Sequence, residues 1–371
     1  MKIGVPKEIK NHEYRVGMTP PSVREAVAHG HGVMVQTHAG EGIGATDDDY
    51  RSAGATIIDE PADIFAAADM IVKVKEPQSN ERKMLREHQI LFTYLHLAPD
   101  PDQTKDLVDS GATCIAYETV TSPFGGLPLL APMSKVAGRM AIQAGAHCLE
   151  HPHGGRGILL GGVPGVDRGK VVILGAGVVG KHAAAIAVGM GADVWVVDRS
   201  PEVIEAHWQQ FGRSTHTVFS TQDAVEKHVL DADLVIGGVL IPGASAPKLV
   251  TREMVSAMKP GSVIVDVAID QGGCCETSKA TTHADPTYVV DDVIHYCVAN
   301  MPGGVPRTST YALNNVTLPH ILRLADHGYK EALKADTHLC NGLNVHAGHI
   351  TNAEVARDLG YDYKAPSQFL G

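Results

Sequence analysis

The chain has 371 residues, enough at about 150 residues per domain for two or three domains with cores of their own, which excludes a disulfide-stapled mini-protein. Hydrophobic residues make up 44% and charged residues 20%, a globular mix rather than a disordered one. Lys and Arg number 31 against 42 Asp and Glu, a formal net charge of −11, so no cationic surplus exists to cover a phosphate backbone and nucleic acid is not an expected partner.

The first residues, MKIGVPKEIKNHEYRVG, contain no unbroken apolar stretch, and no later run approaches the roughly 20 apolar residues that span a bilayer. From residue 1 to about 130, the short apolar runs KIGV, VMVQ, TIID, MIVKVK, QILFTYL and TCIAYE alternate with polar helical stretches, predicting one α/β domain. SKVAGRMAIQAGAHCLE follows, with Ser134 as the expected cap of a helix that carries Val136, Met140 and Ala144 on one face and connects two domains. HGGRGILLGGVPG holds six glycines between 154 and 165 and predicts a loop or mobile connection.

From residue 170 the pattern becomes regular: VVILGAG, a helix from about 178 to 189, DVWVVD, a helix near 201 to 211, DLVIGGVL and SVIVDVAI. Unbroken Val, Ile and Leu in strands imply burial on both faces, hence a parallel sheet covered by helices. The segment from about 309 to 334 has a helical pattern, and NAEVARDLG predicts a last helix capped by its Asn. The cysteines at 114, 148, 274, 275, 297 and 340 include no CxxC pair, so the thiols are expected to be reduced, with Cys274 and Cys275 serving packing, in a soluble cytoplasmic protein.

Gly175, Gly177 and Gly180 form GxGxxG between the strand VVIL and a helix, and Asp198 closes the next strand about twenty residues on. In that context Gly175 permits the tight turn, Gly177 lets a pyrophosphate approach a helix N-terminus, and Gly180 lets helix and sheet pack closely. Asp198 would accept from ribose hydroxyls and repel a 2′-phosphate, favouring NAD over NADP, with Arg199 beside it as the contrary signal.

Four further residues could carry substrate chemistry. Arg15, in the polar loop NHEYRVGMTP, could grip a carboxylate; its alternative is a solvated surface charge. Lys73 and Lys75 fall on one side of the predicted strand MIVKVK, where edge protection is the bland reading and Lys75 stands at the strand end. His96 follows QILFTYL where a buried strand emerges, placed to take and give a proton, although among 20 histidines a structural role is the commoner one. Asp270 closes SVIVDVAID just before a turn, with Asp266 as competitor. His147, His151 and His153 lie close together, but no acidic or cysteine partner is expected to complete a metal site, and no metal is expected.

Taken together, GVPKEIKNHEYRVGMTP, VKVKEP, LFTYLHLAP, PMSKVAGRMA, HGGRGILLGGVPGV, GAGVVG, DQGGCCETSKATTH and HYCVANMPGGVPRTSTYAL resemble the alanine dehydrogenase family, which shares its fold with the NAD-binding subunit of transhydrogenases. The resemblance covers nearly the whole chain. It implies two Rossmann-like α/β domains, with an NAD-binding domain over 131–307 inserted into a discontinuous substrate domain of 1–130 plus 308–371. It also implies that Arg15 and Lys75 bind substrate while His96 and Asp270 carry proton transfers. Cofactor contacts carry over to Ser134, Val178, Val179, Asp198, Ser220, Val239, Leu240, Val267, Ala268, Ile269, Asp270, Val298, Ala299, Asn300 and Met301. The family commonly has Asn two residues and Arg five residues after the ribose-binding Asp, where this chain has Ser200 and Val203. The implied reaction is NAD-dependent conversion of L-alanine to pyruvate and ammonium by a homo-hexamer, with a transhydrogenase-like partner subunit and an enzyme condensing a keto acid with an amine as alternatives.

Overall fold

The computed structural model describes residues 1–239 and 246–371. Its strands in chain order are β1 (Lys2–Val5), β2 (Gly32–Gln36), β3 (Thr56–Ile58), β4 (Met70–Val72), β5 (Ile90–Thr93), β6 (Thr113–Ala116), β7 (Lys170–Leu174), β8 (Asp193–Asp198), β9 (His216–Phe219), β10 (Leu234–Gly237), β11 (Val263–Asp266), β12 (Thr287–Val290), β13 (Val293–Tyr296), β14 (Leu343–His346) and β15 (His349–Ile350). They build two sheets, and the chain divides into two compact units, residues 1–133 with 303–371 and residues 134–302.

In the first unit the sheet order is β15-β14-β6-β5-β4-β1-β2-β3. The six strands from β1 to β6 run parallel, and β14 joins antiparallel along β6. The chain therefore starts in the middle of the sheet, winds outward to β3, then crosses back and winds the other way. The order reverses between β1 and β4, and the carboxyl end of the sheet at such a reversal is the usual ligand position.

In the second unit the order is β12-β13-β11-β10-β7-β8-β9, parallel except for β12. Alternate residues of one strand feed two different cores. Val171 and Ile173 join Val194, Val196, Leu234 and Ile236 on one face, while Val172 and Leu174 join Val197, Val235 and Ile264 on the other. This two-sided burial explains the unbroken apolar runs, each fully buried Val, Leu or Ile being worth roughly 1.5–3 kcal/mol.

The helices at Val178–Gly189 and Pro201–Phe211 stand where the sequence predicts them. Asn352 caps Ala353–Leu359 by accepting from the amides of Glu354 and Val355, both at 3.0 Å. Ser134 is not a cap: the helix runs Ala131–Cys148, starting three residues earlier with Pro132 in its first turn, where a missing N–H leaves no bond unmade. The predicted helix of 309–334 is Pro306–Ala335, broken at Gly328 by non-helical φ 75° and ψ 158°. The glycine-rich stretch of 154–165 forms no regular strand or α-helix.

Candidate active site

Arg15, Lys75 and His96 all lie beyond the carboxyl ends of strands in the first unit, following β1, β4 and β5. Arg15 is buried rather than a solvated charge. Its Nε and Nη2 donate to the carboxylate of Glu13 at 2.7 and 2.5 Å, and Nη1 lies 3.0 Å from Met133 Sδ. Burial pulls the guanidinium pKa down, but the hydrogen bonds and charge of Glu13 outweigh it and leave the value raised. The loop carrying Arg15 is tied down by Asn314, which accepts from the Thr19 amide at 2.8 Å and donates to the Gly17 carbonyl at 3.1 Å. At Gly17 a Cβ would lie 2.4 Å from the Val72 carbonyl, so only glycine lets this loop pass so close to the end of β4.

The strand predicted through Lys75 stops at Val72, because the chain turns away once Val74 donates its amide to Glu8 at 2.6 Å. Since β4 is interior to its sheet, edge protection does not explain the two lysines. Lys73 is fully buried, and its Nζ donates to Glu8 at 3.1 Å and Glu81 at 2.9 Å. Lys75 is half-buried, and its Nζ makes no hydrogen bond or ion pair among the described residues. Burial holds its pKa below the ordinary lysine value; the Glu76 carboxylate opposes this, and the charges of Arg15 and Lys10 add to it. One lysine is thus a structural clamp, and the other keeps its ammonium out of such a pair among the described residues.

His96 is 43% exposed at its side chain and stacks on Tyr94 with the rings within 8° of parallel. Tyr94 is buried, donates to the Leu129 carbonyl at 2.6 Å and feels the charge of Arg15. His96 has φ +49°, an uncommon left-handed conformation for a non-glycine residue. Glu118, just past β6, supports that bend: it accepts from the His96 amide at 2.6 Å and the Leu95 amide at 3.2 Å, and stands 4.0 Å from His96 Nδ1. Neither Glu118 nor Glu13 stands out in the sequence; the carboxylate that closes TCIAYE, two residues after Ala116, was the available signal for the former.

In the second unit, the nucleotide-turn residues gather at the carboxyl edge of the sheet, where β7 and β10 adjoin at the reversal of strand order. Gly175 has φ +96°, Gly177 precedes Val178–Gly189 as its N-cap, and a Cβ on Gly180 would lie 1.8 Å from the Gly175 carbonyl. A Cβ on Gly177 would meet nothing within 4 Å, so that glycine keeps the helix N-terminus open rather than packing the fold. Asp198 accepts from the amides of Ala176 at 2.7 Å and Ser200 at 2.9 Å, which joins the end of β8 to the glycine turn. The turn fits a dinucleotide: an accessible helix N-terminus for phosphates and a carboxylate one strand away for a ribose.

The chain matches the N-terminal domain of the alanine dehydrogenase/PNT family over residues 4–137 and its C-terminal domain over residues 141–353. It is 59% identical to an alanine dehydrogenase of Halomonas elongata across the full length of both chains, and 53% identical to alanine dehydrogenase 2 of Staphylococcus aureus, also full length. The chain belongs to the alanine dehydrogenase/PNT family. A solved L-alanine dehydrogenase superimposes with a TM-score of 0.94 at 51% identity, covering 97% of this chain and 99% of that one. A transhydrogenase from Sinorhizobium meliloti gives 0.84 at 25% identity, covering 94% and 100%.

Of the other positions that alanine dehydrogenase/PNT membership brings into view, Asp270 is exposed in a 3-10 turn, Val267–Gln271, because β11 already ends at Asp266. Its competitor Asp266 is fully buried and accepts from the Cys274 amide at 2.9 Å, the Cys275 amide at 3.2 Å and the Ser278 hydroxyl at 2.6 Å, so its carboxylate shapes the loop. In the same turn Ala268 and Ile269 are buried and Val267 half-buried. Val178 is exposed and Val179 half-buried in the first turn of their helix, and Ser220 follows β9 with its amide on the Asp198 carbonyl at 2.8 Å. Val239 follows β10, and Leu240 lies outside the described residues. Val298 and Met301 have their side chains in the core, Ala299 is exposed and Asn300 half-buried, so Val298 and Met301 can offer a ligand only backbone. Ser200 caps Pro201–Phe211, accepting from the Val203 amide at 3.2 Å. The expectation that no acidic residue accompanies the clustered histidines is corrected: Glu150 lies 3.7 Å from both His147 and His153. Among the described residues no helix is long and apolar enough to cross a membrane.

Proposed function

We propose that this chain catalyses the reversible oxidative deamination of L-alanine to pyruvate and ammonium with NAD. The observation that carries the reading is Lys75: a half-buried ammonium with depressed pKa, electrostatically coupled to buried Arg15, in a chain 59% identical to an alanine dehydrogenase. In this reading residues 1–133 with 303–371 bind substrate and residues 134–302 bind NAD. When bound, NAD supplies the hydride acceptor, held by the helix N-terminus at Gly177 and Val178 and by Asp198.

Glu13 fixes the Nε and Nη2 edge of Arg15, so the guanidinium keeps one orientation, and the substrate carboxylate replaces the weak Met133 sulfur contact at Nη1. Lys75 donates to the oxygen that develops at Cα, a position where a charge held in advance lowers the barrier without reorganisation. His96 takes the proton of the water that adds to the substrate imine, and Asp270 exchanges a proton with the departing amine. Asn300, Ser134 and the 267–269 backbone complete the cofactor contacts in this reading. The same reading places the protein in the cytoplasm as a homo-hexamer, which light scattering tests directly.

The decisive assay follows reduced-nicotinamide absorbance with L-alanine and NAD, repeated with D-alanine, with NADP and with Lys75→Ala. NADH formation from the L-isomer that disappears in Lys75→Ala, while NAD still binds, supports the assignment. Normal oxidation by Lys75→Ala overturns the site, and tight NAD binding without any alanine oxidation moves the reading to a hydride-passing partner subunit.

A further inference from the structure

We propose that His147, Glu150 and His153 form a surface site for one divalent transition cation of the Zn²⁺, Co²⁺ or Ni²⁺ class, within the second unit and separate from the nucleotide turn. The three residues recur at a spacing of three along the end of the helix Ala131–Cys148 and the 3-10 turn His151–His153. One ligand atom from each falls within 4.8 Å of the other two. His147 Nδ1 and His153 Nε2 converge on the same oxygen, Glu150 Oε2, at 3.7 Å each. The imidazole centroids are 3.8 Å apart at an interplanar angle of 45°, so the two rings already lie side by side.

These separations exceed a hydrogen bond, and among the described residues none of the three side chains makes one. They lie close to the edge of a metal tetrahedron: bonds of 2.0–2.1 Å to nitrogen and oxygen give ligand-to-ligand distances of about 3.4 Å. Rotation of three exposed side chains closes the difference on these two edges and on the third, which lies within 4.8 Å. The backbone beneath is already fixed. The Glu150 amide donates to the His147 carbonyl at 3.2 Å, the His153 amide to the Glu150 carbonyl at 3.0 Å, and a Cβ on Gly155 would lie 2.3 Å from the Cys148 carbonyl. Two imidazoles and a carboxylate suit zinc, cobalt or nickel rather than magnesium or calcium, which take oxygen ligands. Three protein ligands on exposed side chains leave the remaining positions to water. A bound cation would tie the last helical turn to the 3-10 turn and stabilise the second unit.

The test titrates the full-length chain with Zn²⁺, and separately with Ni²⁺, by isothermal calorimetry, following the thermal unfolding temperature in parallel. One equivalent should bind the unsubstituted chain and raise that temperature. His147→Ala and His153→Ala should each weaken this binding at least about tenfold, the scale at which even outer-sphere partners matter, and abolish the thermal gain, while His151→Ala should change neither. Because the three side chains are exposed, circular dichroism should show the variants folded; if either alanine variant is not, Glu150→Gln, which keeps the shape and removes the charge, decides by the same readout. Unchanged affinity in these variants, or no stoichiometric binding by the unsubstituted chain, overturns the site.

Discussion

Lys73 and Lys75 are two residues apart, and their difference shows what a side chain's surroundings add to its type. Lys73→Met leaves Glu8 and Glu81 as buried carboxylates without their cation, and should destabilise the chain by about 3–5 kcal/mol in denaturant unfolding. Lys75→Met should do the opposite. Below its depressed folded pKa, Lys75 is charged in both folded and unfolded chains and the folded state carries the desolvation penalty; the penalty fades as pH rises from that value toward the ordinary 10.5. The variant's unfolding temperature at pH 7 should therefore rise by about 2 °C, with the gain shrinking at alkaline pH, a trade of stability for function. Turnover that needs the ammonium should fall along an alkaline limb below 10.5. On the proposed role of His96, Glu118 is a positioning residue: Glu118→Gln keeps one acceptor for the bend and Glu118→Ala keeps none, so kcat should fall in that order, by about tenfold to a hundredfold for Ala, with NAD affinity unchanged. Arg15 stood out as a cation in a polar loop after the first strand, and Lys75 as a cation at the end of an apolar run. Buried Glu13 and half-buried Glu118 did not, since such a carboxylate is recognised by the partner it meets, and those partners are backbone amides or residues read separately.

At the scale of elements, the glycine turn separates folding from binding within six residues. Gly180→Ala drives a methyl to 1.8 Å from the Gly175 carbonyl and should unfold the second unit or shift its first helix, visible as lost solubility or lost NAD binding together with lowered stability. Gly177→Ala meets nothing within 4 Å at an ordinary φ of −67°, so stability should hold within about 0.5 kcal/mol while the Kd for NAD rises. The parallel strands of the second unit were legible because two-sided burial demands unbroken Val, Ile and Leu. Two hairpins escaped the sequence reading for a common reason. β12 and β13 are joined by Asp291 and Asp292 at φ +49° and +61°, and β14 and β15 by Ala347 and Gly348 at φ +47° and +81°. Both are two-residue turns with successive left-handed residues, and the Asp-Asp and Ala-Gly pairs depart from the Asn-Gly signal that normally marks them. β4 was overextended because Val74 continues the alternation while its amide bonds to Glu8 instead of a strand.

Across the whole molecule, each compact unit repeats one winding plan, outward from a central strand and back across it, with the candidate residues at the carboxyl ends of the strands in both. NAD at 100 times its Kd should stabilise the state that binds it by about 2.7 kcal/mol. Amide exchange should slow most at 175–180 and 198–200, and uniform slowing across residues 1–133 instead would contradict cofactor binding by the second unit. The strand order could be inferred from the resemblance but not from local pattern, since no periodicity along one strand tells which other strand lies beside it. The insertion of the second unit after residue 133 also has a consequence for synthesis. A chain emerging from the ribosome completes residues 134–302 while the first unit still lacks β14, β15 and the helix Pro306–Ala335. Until residues 314–346 arrive, β6 presents one open edge, with Thr113 waiting for His346 and the Arg15 loop waiting for Asn314. The nascent protein thus exposes that edge to strand-to-strand association until residues 343–346 are made.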